Sequence, residues 1–175
     1  MSHTCGTCTL CCDLVPVPEL LKPAYTPCRH QRDILTARPG CAIYNMRPDG
    51  CRTWACLWLR DRSWPDEMRP DRLGIVVDDQ VDLVRIGGVE HPCAQIWVAP
   101  GHEDDCHRPG SDAQAVIRSL LAKKLAVLWR MADNMAVCFY ADAGAVSCSA
   151  PTKADRDMGT DAVRMARAAD LVRRL

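Results

Sequence analysis

The chain has 175 residues, of which 48% are hydrophobic, and its basic and acidic side chains are equal in number at 22 each. This length suits one ordinary domain or two small ones, and it can bury about 70% of its unfolded surface without cross-links. No apolar run reaches the ~18 residues of a membrane span. The balanced charge gives no overall attraction to nucleic acid.

Cysteine is concentrated near the start of the chain, where eight of the twelve cysteines fall within residues 5–56. The first residues lack the basic start and apolar core of a secretion signal, so we expect a cytoplasmic protein whose thiols stay reduced. Thiols at this density then indicate metal or iron–sulfur ligation rather than disulfides. The predicted metal ligands are Cys5, Cys8, Cys11, Cys12, Cys28, Cys41, Cys51 and Cys56.

The same region is more basic than the rest of the chain. Residues 1–62 contain eight basic and five acidic side chains, a net charge of +3, which leaves −3 for the remainder. Because thiolates bound to a metal carry negative charge, nearby arginines would offset that charge and donate hydrogen bonds to sulfur. A nucleic-acid patch or plain solubility is the alternative, and +3 over 62 residues is weak support for it.

Local geometry constrains how the first cysteines could act. Gly6 lies inside the first Cys-x-x-Cys and can adopt the positive φ of a tight turn. A helix predicted from Cys8 onward would direct Cys11 and Cys12 about 100° apart. These two thiols are therefore not expected to be equivalent ligands of one ion, so one of them serves a second metal or is a spare thiol.

The later cysteines follow Pro- and Gly-containing turns, a pattern that predicts a loop-rich region held together by metal. The apolar segment 53–59 is predicted to be helical, with Cys56 flanked by Trp54 and Trp58 on one face. We interpret the two tryptophans as core in preference to a dedicated shield for the metal. His30 could be a ninth ligand, a donor to a thiolate or an exposed residue, and the last two are favoured. His3 is expected to be mobile.

The spacing leaves the metal open between zinc and iron. Cys5, Cys8 and Cys11 reproduce the first two gaps of a ferredoxin-type iron–sulfur run, but the fourth ligand must come from elsewhere. Structural zinc sites usually show two separated Cys-x-x-Cys pairs, and only one region here offers them. The predicted cofactor is therefore zinc or iron, with an iron–sulfur cluster included.

The segments CGTCTLCC, KPAYTPCRH and CAIYNMRPDGCRTWACLWL, at residues 5–12, 22–30 and 41–59, resemble the CxxCxxCC, or YkgJ-type, cysteine-cluster family. The resemblance covers about a third of the chain and implies a zinc- or iron-chelating protein in which the same eight cysteines bind metal. Related cysteine patterns occur in flagellin lysine methylases. Residues 24–27 depart from the pattern, because family members often carry a glycine there.

The remainder of the chain predicts a second region, so we divide the protein into a metal-binding module at 1–66 and an α+β domain at 67–175, which could pack together as one domain. The predicted fold class is α+β, with a Cys-rich, loop-rich module joined to an antiparallel sheet and two helices. The predicted elements are strands at 73–77 and 81–86 joined by a turn at 78–80, a strand at 94–99, a helix at 111–124 capped by Ser111 or Asp112, a hairpin of 125–131 and 135–141, and a helix at 161–175.

Outside the cluster, chemical signals are weak. Loop 101–107 carries histidine and acidic atoms but is interpreted as a solvated acidic loop, and Cys93 and Cys138 are interpreted as buried hydrophobes. Cys148 carries no signal. Phosphate-binding, dinucleotide-binding, serine-hydrolase and zinc-protease signatures are absent from the sequence.

Three functions remain in view. The first is a metal-binding protein that chelates zinc or iron for structure, storage or delivery. The alternative is an iron–sulfur-dependent enzyme or electron-transfer component, related to protein-modifying methylases. The third is a zinc-stabilised interaction domain. The expected partners are metal ions, without nucleic acid or membrane, and whether the protein is an enzyme stays open.

Overall fold

The computed structural model describes residues 3–32, 40–86, 89–132, 135–140 and 144–149. The chain divides into two compact units, Met1–Asp78 and Asp79–Leu175, which we call the cysteine unit and the sheet unit. Within the described ranges, no helix has the length and apolar character needed to cross a membrane. The predicted division into functional modules at residue 66 stays a prediction.

The cysteine unit is built from short elements because proline and glycine interrupt its chain repeatedly. Its described elements before the long strand β3 have five residues or fewer. They are helix α1 (Leu10–Leu14), a 3-10 turn (Pro18–Leu20), strands β1 (Gln31–Arg32) and β2 (Gly40–Cys41), a 3-10 turn (Tyr44–Met46), helices α2 (Asp49–Thr53) and α3 (Leu57–Arg60), a 3-10 turn (Asp66–Met68) and helix α4 (Pro70–Leu73).

The segment predicted as one helix at 53–59 is divided between α2 and α3. Trp54 ends α2 in extended backbone (φ −82°, ψ 137°), and Cys56 precedes α3 with φ −64° and ψ 158°. The two tryptophans therefore do not share one helix face. Trp58 is 5% exposed and belongs to the core, whereas the Trp54 indole donates to Asp78 Oδ2 at 2.7 Å.

The sheet unit contains a five-stranded mixed sheet in the order β3-β4-β5-β6-β7, whose first strand begins before Asp79. The β4–β5 pair is parallel and the β5–β6 and β6–β7 pairs are antiparallel. The elements are β3 (Ile75–Ile86), β4 (Val89–Val98), a 3-10 turn (Glu103–His107), α5 (Asp112–Ala122), β5 (Ala126–Arg130), β6 (Met135–Tyr140) and β7 (Gly144–Ser149).

The α+β class is therefore found, but two details of the predicted sheet are wrong. The sheet is not wholly antiparallel, because α5 connects β4 to the parallel strand β5, as parallel neighbours require. The predicted turn at 78–80 is also wrong, since β3 continues through it. Asp-Asp-Gln contains neither the glycine nor the asparagine that supplies the positive φ of a tight hairpin turn. The predicted helix at 161–175 lies outside the described residues.

The predicted amphipathic helix and the predicted hairpin of 125–131 with 135–141 are both confirmed. Helix α5 buries Val116, Ile117 and Leu120 at the three- and four-residue spacing of one helix face. Strand β5 alternates between the two faces of the sheet, and its Trp129 is fully buried. Among the largest buried side chains of the sheet unit are Trp129, Phe139, Ile96, Leu120, Val98, Val116 and Val127.

Ser111 caps α5, and its replacement by alanine is expected to lower the free energy of unfolding by ~1 kcal/mol. Its hydroxyl oxygen accepts from the Gln114 backbone N–H at 3.2 Å and donates to the Asp105 carbonyl at 2.7 Å. Urea denaturation followed by circular dichroism measures the change. Ser119→Ala is the matched control, because among the described residues that hydroxyl bonds within the helix, to Val116 O. Equal effects of the two changes would contradict the capping role.

Candidate metal centre

The first two cysteines lie at a tight turn. The Cys8 backbone N–H donates to the Cys5 carbonyl at 2.8 Å, and Gly6 adopts φ 52°, which confirms its predicted role. Arg69 donates two hydrogen bonds, of 2.6 and 2.8 Å, to the carboxylate of Asp71. The same carboxylate accepts from the Cys8 thiol. Burial raises the pKa of Cys8 to about 11. In the absence of metal, this thiol is therefore protonated at neutral pH.

Cys11 and Cys12 lie side by side on α1 and hydrogen-bond to each other through sulfur. The Cys11 thiol donates, so the hydrogen bond lowers the pKa of Cys12 to about 7. The same bond, with burial, raises the pKa of Cys11 well above its usual range. Cys12 is thus a strong candidate for the first thiolate of this group.

The chain returns to α1 after the proline-rich segment and brings Cys28 with it. The Cys28 backbone N–H donates to the Cys12 carbonyl at 3.0 Å. Cys51, on α2, lies near both residues: burial raises its pKa, and the charges of Cys12 and Cys28 raise it further. Helix α2 is positioned by Glu19, whose carboxylate accepts from the Gly50 N–H at 2.9 Å.

Cys56 is the most buried of the eight predicted ligands, at 5% exposure. Burial raises its pKa, and the nearby charge of Cys5 adds to the shift. His3 stacks on Trp58, two residues further along, with ring centroids 4.2 Å apart, and its Nδ1–H donates to the Trp58 carbonyl at 2.5 Å. The expectation that His3 is mobile is therefore wrong, because an aromatic stack and a hydrogen bond hold it.

Cys41 and His30 are less directly connected to the other thiols. Cys41 pairs with Gln31 across β1 and β2, and the Gln31 N–H donates to the Cys28 carbonyl at 2.9 Å. His30 accepts from Arg29 Nε at 3.3 Å through Nε2, so this ring nitrogen is already hydrogen-bonded. This contact supports a role for His30 outside the ligand set.

Two cations, Lys22 and Arg47, lie near Cys12. Lys22 is only 7% exposed, and its ammonium donates to the backbone carbonyls of Val15 at 2.6 Å, Pro23 at 3.2 Å and Asp13 at 3.4 Å. Burial lowers the pKa of Lys22, and the charges of Cys28 and Cys12 oppose the shift. Arg47 is the second cation, and its charge lowers the pKa of Cys12. Both belong to the basic residues of 1–62, which the sequence analysis expected to offset the negative charge of the thiolates.

Sequence reasoning missed Lys22, Asp71 and Arg69. A lysine between Leu21 and Pro23 carries no sign of burial, and its partners are backbone carbonyls that no residue pattern encodes. Asp71 and Arg69 follow the predicted boundary at residue 66, yet they contact Cys8 and Thr7 near the start of the chain. The signal available was only the local Arg-x-Asp spacing.

The neighbouring thiols do not form a closed set of metal ligands. Among the described residues, no three histidine, cysteine or acidic side chains are grouped closely enough to hold a metal ion. The eight predicted ligands, together with Cys93, Cys106 and Cys138, are free of disulfides. Their chemistry fits a thiophilic ion such as zinc or iron, and ligation requires the side chains to rotate toward a common point. The buried Gln31 Oε1, which accepts no hydrogen bond from described groups, adds an unsatisfied acceptor to the unit.

Cys12 is expected to react much faster than Cys8 with iodoacetamide in metal-free protein. With a pKa of about 7 it is about half thiolate at neutral pH, whereas Cys8, at about 11, is almost wholly thiol. Labelling of Cys12 should rise with pH and level off above neutrality. Tandem mass spectrometry locates the label. In Cys11→Ala, which removes the thiol donor, the Cys12 profile should move to higher pH, and an unmoved profile would contradict the assigned hydrogen bond.

Cys93 and Cys138, and two residues of the 101–107 loop, are buried in the sheet unit. Cys93 and Cys138 are 0% and 1% exposed, which confirms them as buried hydrophobes. The interpretation of 101–107 as a solvated acidic loop is wrong for Asp105 and Cys106, which are buried in a 3-10 turn. Asp105 accepts from His102 Nδ1 at 2.9 Å and from Arg108, because burying a carboxylate requires such partners.

Comparison with known proteins adds no relative: the chain matches no protein-family model, no curated protein and no solved structure.

Proposed function

We propose that this protein binds zinc or iron through the thiolates of its cysteine unit, in a reducing compartment such as the cytoplasm. The observation that supports this most directly is the convergence of separate chain segments on α1. Cys28 is hydrogen-bonded through its backbone to Cys12, and Cys5 and Cys56 both lie near Cys11. Reduced thiols brought together in this way are typical of a metal site.

The surroundings favour the thiolate of Cys12, whereas burial raises the pKa of Cys8, Cys51 and Cys56, which a bound metal would have to deprotonate. The Cys11 thiol stabilises Cys12 as thiolate, and Lys22 and Arg47 place two positive charges beside it. Since a bound divalent ion offsets only part of the charge of several thiolates, such fixed cations favour the loaded state. The resident metal would supply bonds that tie α1, α2 and α3 together, and the protein's own groups would neutralise and orient the sulfur atoms.

Metal binding should also stabilise the cysteine unit. Its described elements are short, so little apolar surface is buried in each, and ligation then contributes directly to folding. A storage, delivery or structural role fits these features. The iron–sulfur alternative, in an enzyme or an electron-transfer component, uses the same donors and differs in colour.

Anaerobic purification followed by elemental analysis and absorption spectroscopy tests the proposal. A colourless protein that contains zinc, or a coloured one that contains iron, would support metal binding and identify the metal. Cys8→Ser and Cys41→Ser should each lower the metal content and the thermal stability of the cysteine unit. Cys138→Ala, in the sheet unit, is the matched control and should retain the metal. Metal-free wild-type protein after anaerobic loading with Zn²⁺ or Fe²⁺ would refute the proposal.

A further inference from the structure

Among the described residues, the large apolar side chains that remain strongly exposed fall into two places. Three belong to the cysteine unit, and two lie in the sheet unit on the neighbouring strands β3 and β4. Single exposed apolar residues are ordinary, whereas several at one place mark a contact surface for another molecule. The residues are Leu21, Tyr44, Met46, Leu83 and Val89.

Leu21 is exposed at a structural cost. It ends the 3-10 turn Pro18–Leu20 with φ 53° and ψ 29°, in the left-handed region where glycine or asparagine is the usual residue. A leucine there is strained, because its Cβ crowds the backbone. The side chain is 91% exposed, so packing within the chain does not offset the strain. An apolar side chain held in this way is explained by contact with another molecule.

The other two exposed apolar side chains of the cysteine unit lie close to the loop that carries Leu21. Glu19 of that loop accepts from the Gly50 N–H of α2 at 2.9 Å, and the Tyr44–Met46 turn comes just before the same helix. The Arg47 guanidinium lies 3.9 Å from the centre of the Tyr44 ring. Tyrosine, methionine and arginine are enriched in protein interfaces. We call Leu21, Tyr44 and Met46 the loop patch.

The second place is formed by Leu83 and Val89, which we call the strand patch. Leu83 lies three residues before the end of β3, and Val89 begins the neighbouring strand β4. Acidic residues flank both, since Asp82 precedes Leu83 and Glu90 follows Val89. The Asp82 carboxylate accepts from the Leu83 N–H at 2.8 Å and from the Gln95 amide at 2.5 Å. A negative charge is therefore fixed in position at the strand patch.

The chain segments around the two patches carry opposite net charge. Residues 22–52 contain six basic and two acidic side chains, a net charge of +4, whereas residues 79–90 contain three acidic and one basic, a net charge of −2. Like charges repel when a patch meets its own copy, while unlike patches attract. The chain thus carries two surfaces that complement each other in both charge and apolar character.

We propose that copies of this chain associate head to tail, with the loop patch of one copy on the strand patch of another. A contact between unlike patches is heterologous, so it either closes into a ring or extends into a chain of copies. Three exposed apolar side chains against two make a small contact, and the association is accordingly weak and dependent on concentration. This inference goes beyond metal binding and does not depend on it.

Sedimentation velocity of the full-length protein over a range of concentrations tests the proposal. The average mass should rise with concentration, and less so at high salt, because salt screens exposed charges. Leu21→Asn should raise the dissociation constant about tenfold, as for loss of a central interface residue. It should not lower the thermal unfolding temperature, because asparagine tolerates left-handed backbone. Wild-type protein that stays monomeric at every concentration in low salt, or undiminished association of Leu21→Asn, would overturn the proposal.

Mixing two variants tests the head-to-tail pairing itself. Leu83→Thr impairs the strand patch while keeping a residue that favours strands, and alone it should associate as poorly as Leu21→Asn. Leu21→Asn retains an intact strand patch and Leu83→Thr an intact loop patch, so an equimolar mixture should form one-to-one pairs. A mixture that associates no better than either variant would contradict the pairing of unlike patches.

Lys123→Gln is the control, because it removes an exposed charge that belongs to neither patch. It should associate like the wild type. A loss of association equal to that of Leu21→Asn would overturn the assignment of the contact to the two patches.

Discussion

Replacement of Trp129 by alanine is expected to lower the free energy of unfolding of the sheet unit by ~3–5 kcal/mol, the range for truncating a buried aromatic side chain. Trp129 is fully buried on β5, between Ile96 of β4 and Val137 of β6. The change would leave a large cavity at the centre of the sheet, and a close-packed interior relaxes only partly around such a loss.

The same substitution should make the Cys106 thiol, 23 residues earlier in the chain, accessible to thiol reagents. The Trp129 indole N–H donates to the Glu103 carbonyl at 3.0 Å, and the Cys106 thiol donates to that carbonyl at 3.5 Å. Cys106 is fully buried, and burial raises its pKa to about 12, so it is inert in the intact protein. Loosening the 3-10 turn that carries it should make it reactive.

Two variants separate the contributions of packing and hydrogen bonding at Trp129. Trp129→Phe retains most of the apolar volume but not the N–H donor. Loss of the hydrogen bond is expected to lower the free energy of unfolding by ~1 kcal/mol, and the small cavity should lower it further. Half-buried Trp64→Ala, in the cysteine unit, is the control. Urea denaturation gives the free energies, and thiol titration with mass spectrometry reports Cys106. A Cys106 that stays unreactive in Trp129→Ala would contradict the proposed link.

The accuracy of sequence-based prediction followed the range of the interactions involved. Helix α5 was predictable because its cap, Ser111, and its buried face lie within one local segment. The β5–β6 hairpin likewise joins neighbouring strands. The parallel pairing of β4 with β5 depends on how the intervening helix packs, and no local pattern distinguishes it from an antiparallel neighbour.

Strand β3 shows how a polar run can mislead. Residues 78–80 are hydrophilic, and a period-two pattern does not continue clearly through them, so a turn is the simplest local interpretation. In the structure, Asp78 accepts the Trp54 indole N–H. A tertiary contact of this kind lets a polar residue remain within a strand, and it depends on a residue far away in sequence.

The candidate centre was predictable in composition but not in arrangement. Cysteine density identified the eight thiols, and the helical angle between Cys11 and Cys12 already indicated that they differ. The approach of Cys28 to Cys12 depends on a backbone hydrogen bond between segments, and the position of His3 depends on its stacking against Trp58. Neither follows from residue spacing.

Lys22→Met is expected to lower both the free energy of unfolding and the affinity for Zn²⁺. The substitution keeps an unbranched side chain but leaves the carbonyls of Val15, Pro23 and Asp13 without their donor. An unsatisfied buried polar group costs ~1–3 kcal/mol, which should appear in the free energy of unfolding of metal-free protein. Lys123→Met, at an exposed lysine, is the control and should change the free energy of unfolding little.

The effect on metal binding has a separate cause and can be measured separately. The Lys22 charge lowers the pKa of Cys12, so its loss should raise that pKa and weaken Zn²⁺ binding at neutral pH more than at alkaline pH, where the thiol ionises without assistance. Arg47→Met removes the other cation, whose guanidinium hydrogen-bonds to Tyr44 O, and should weaken binding with a smaller loss of stability. Chelator competition across pH measures the affinities. If Lys22→Met weakened Zn²⁺ binding equally at every pH, its effect would be structural, and the electrostatic role assigned to Lys22 would be wrong.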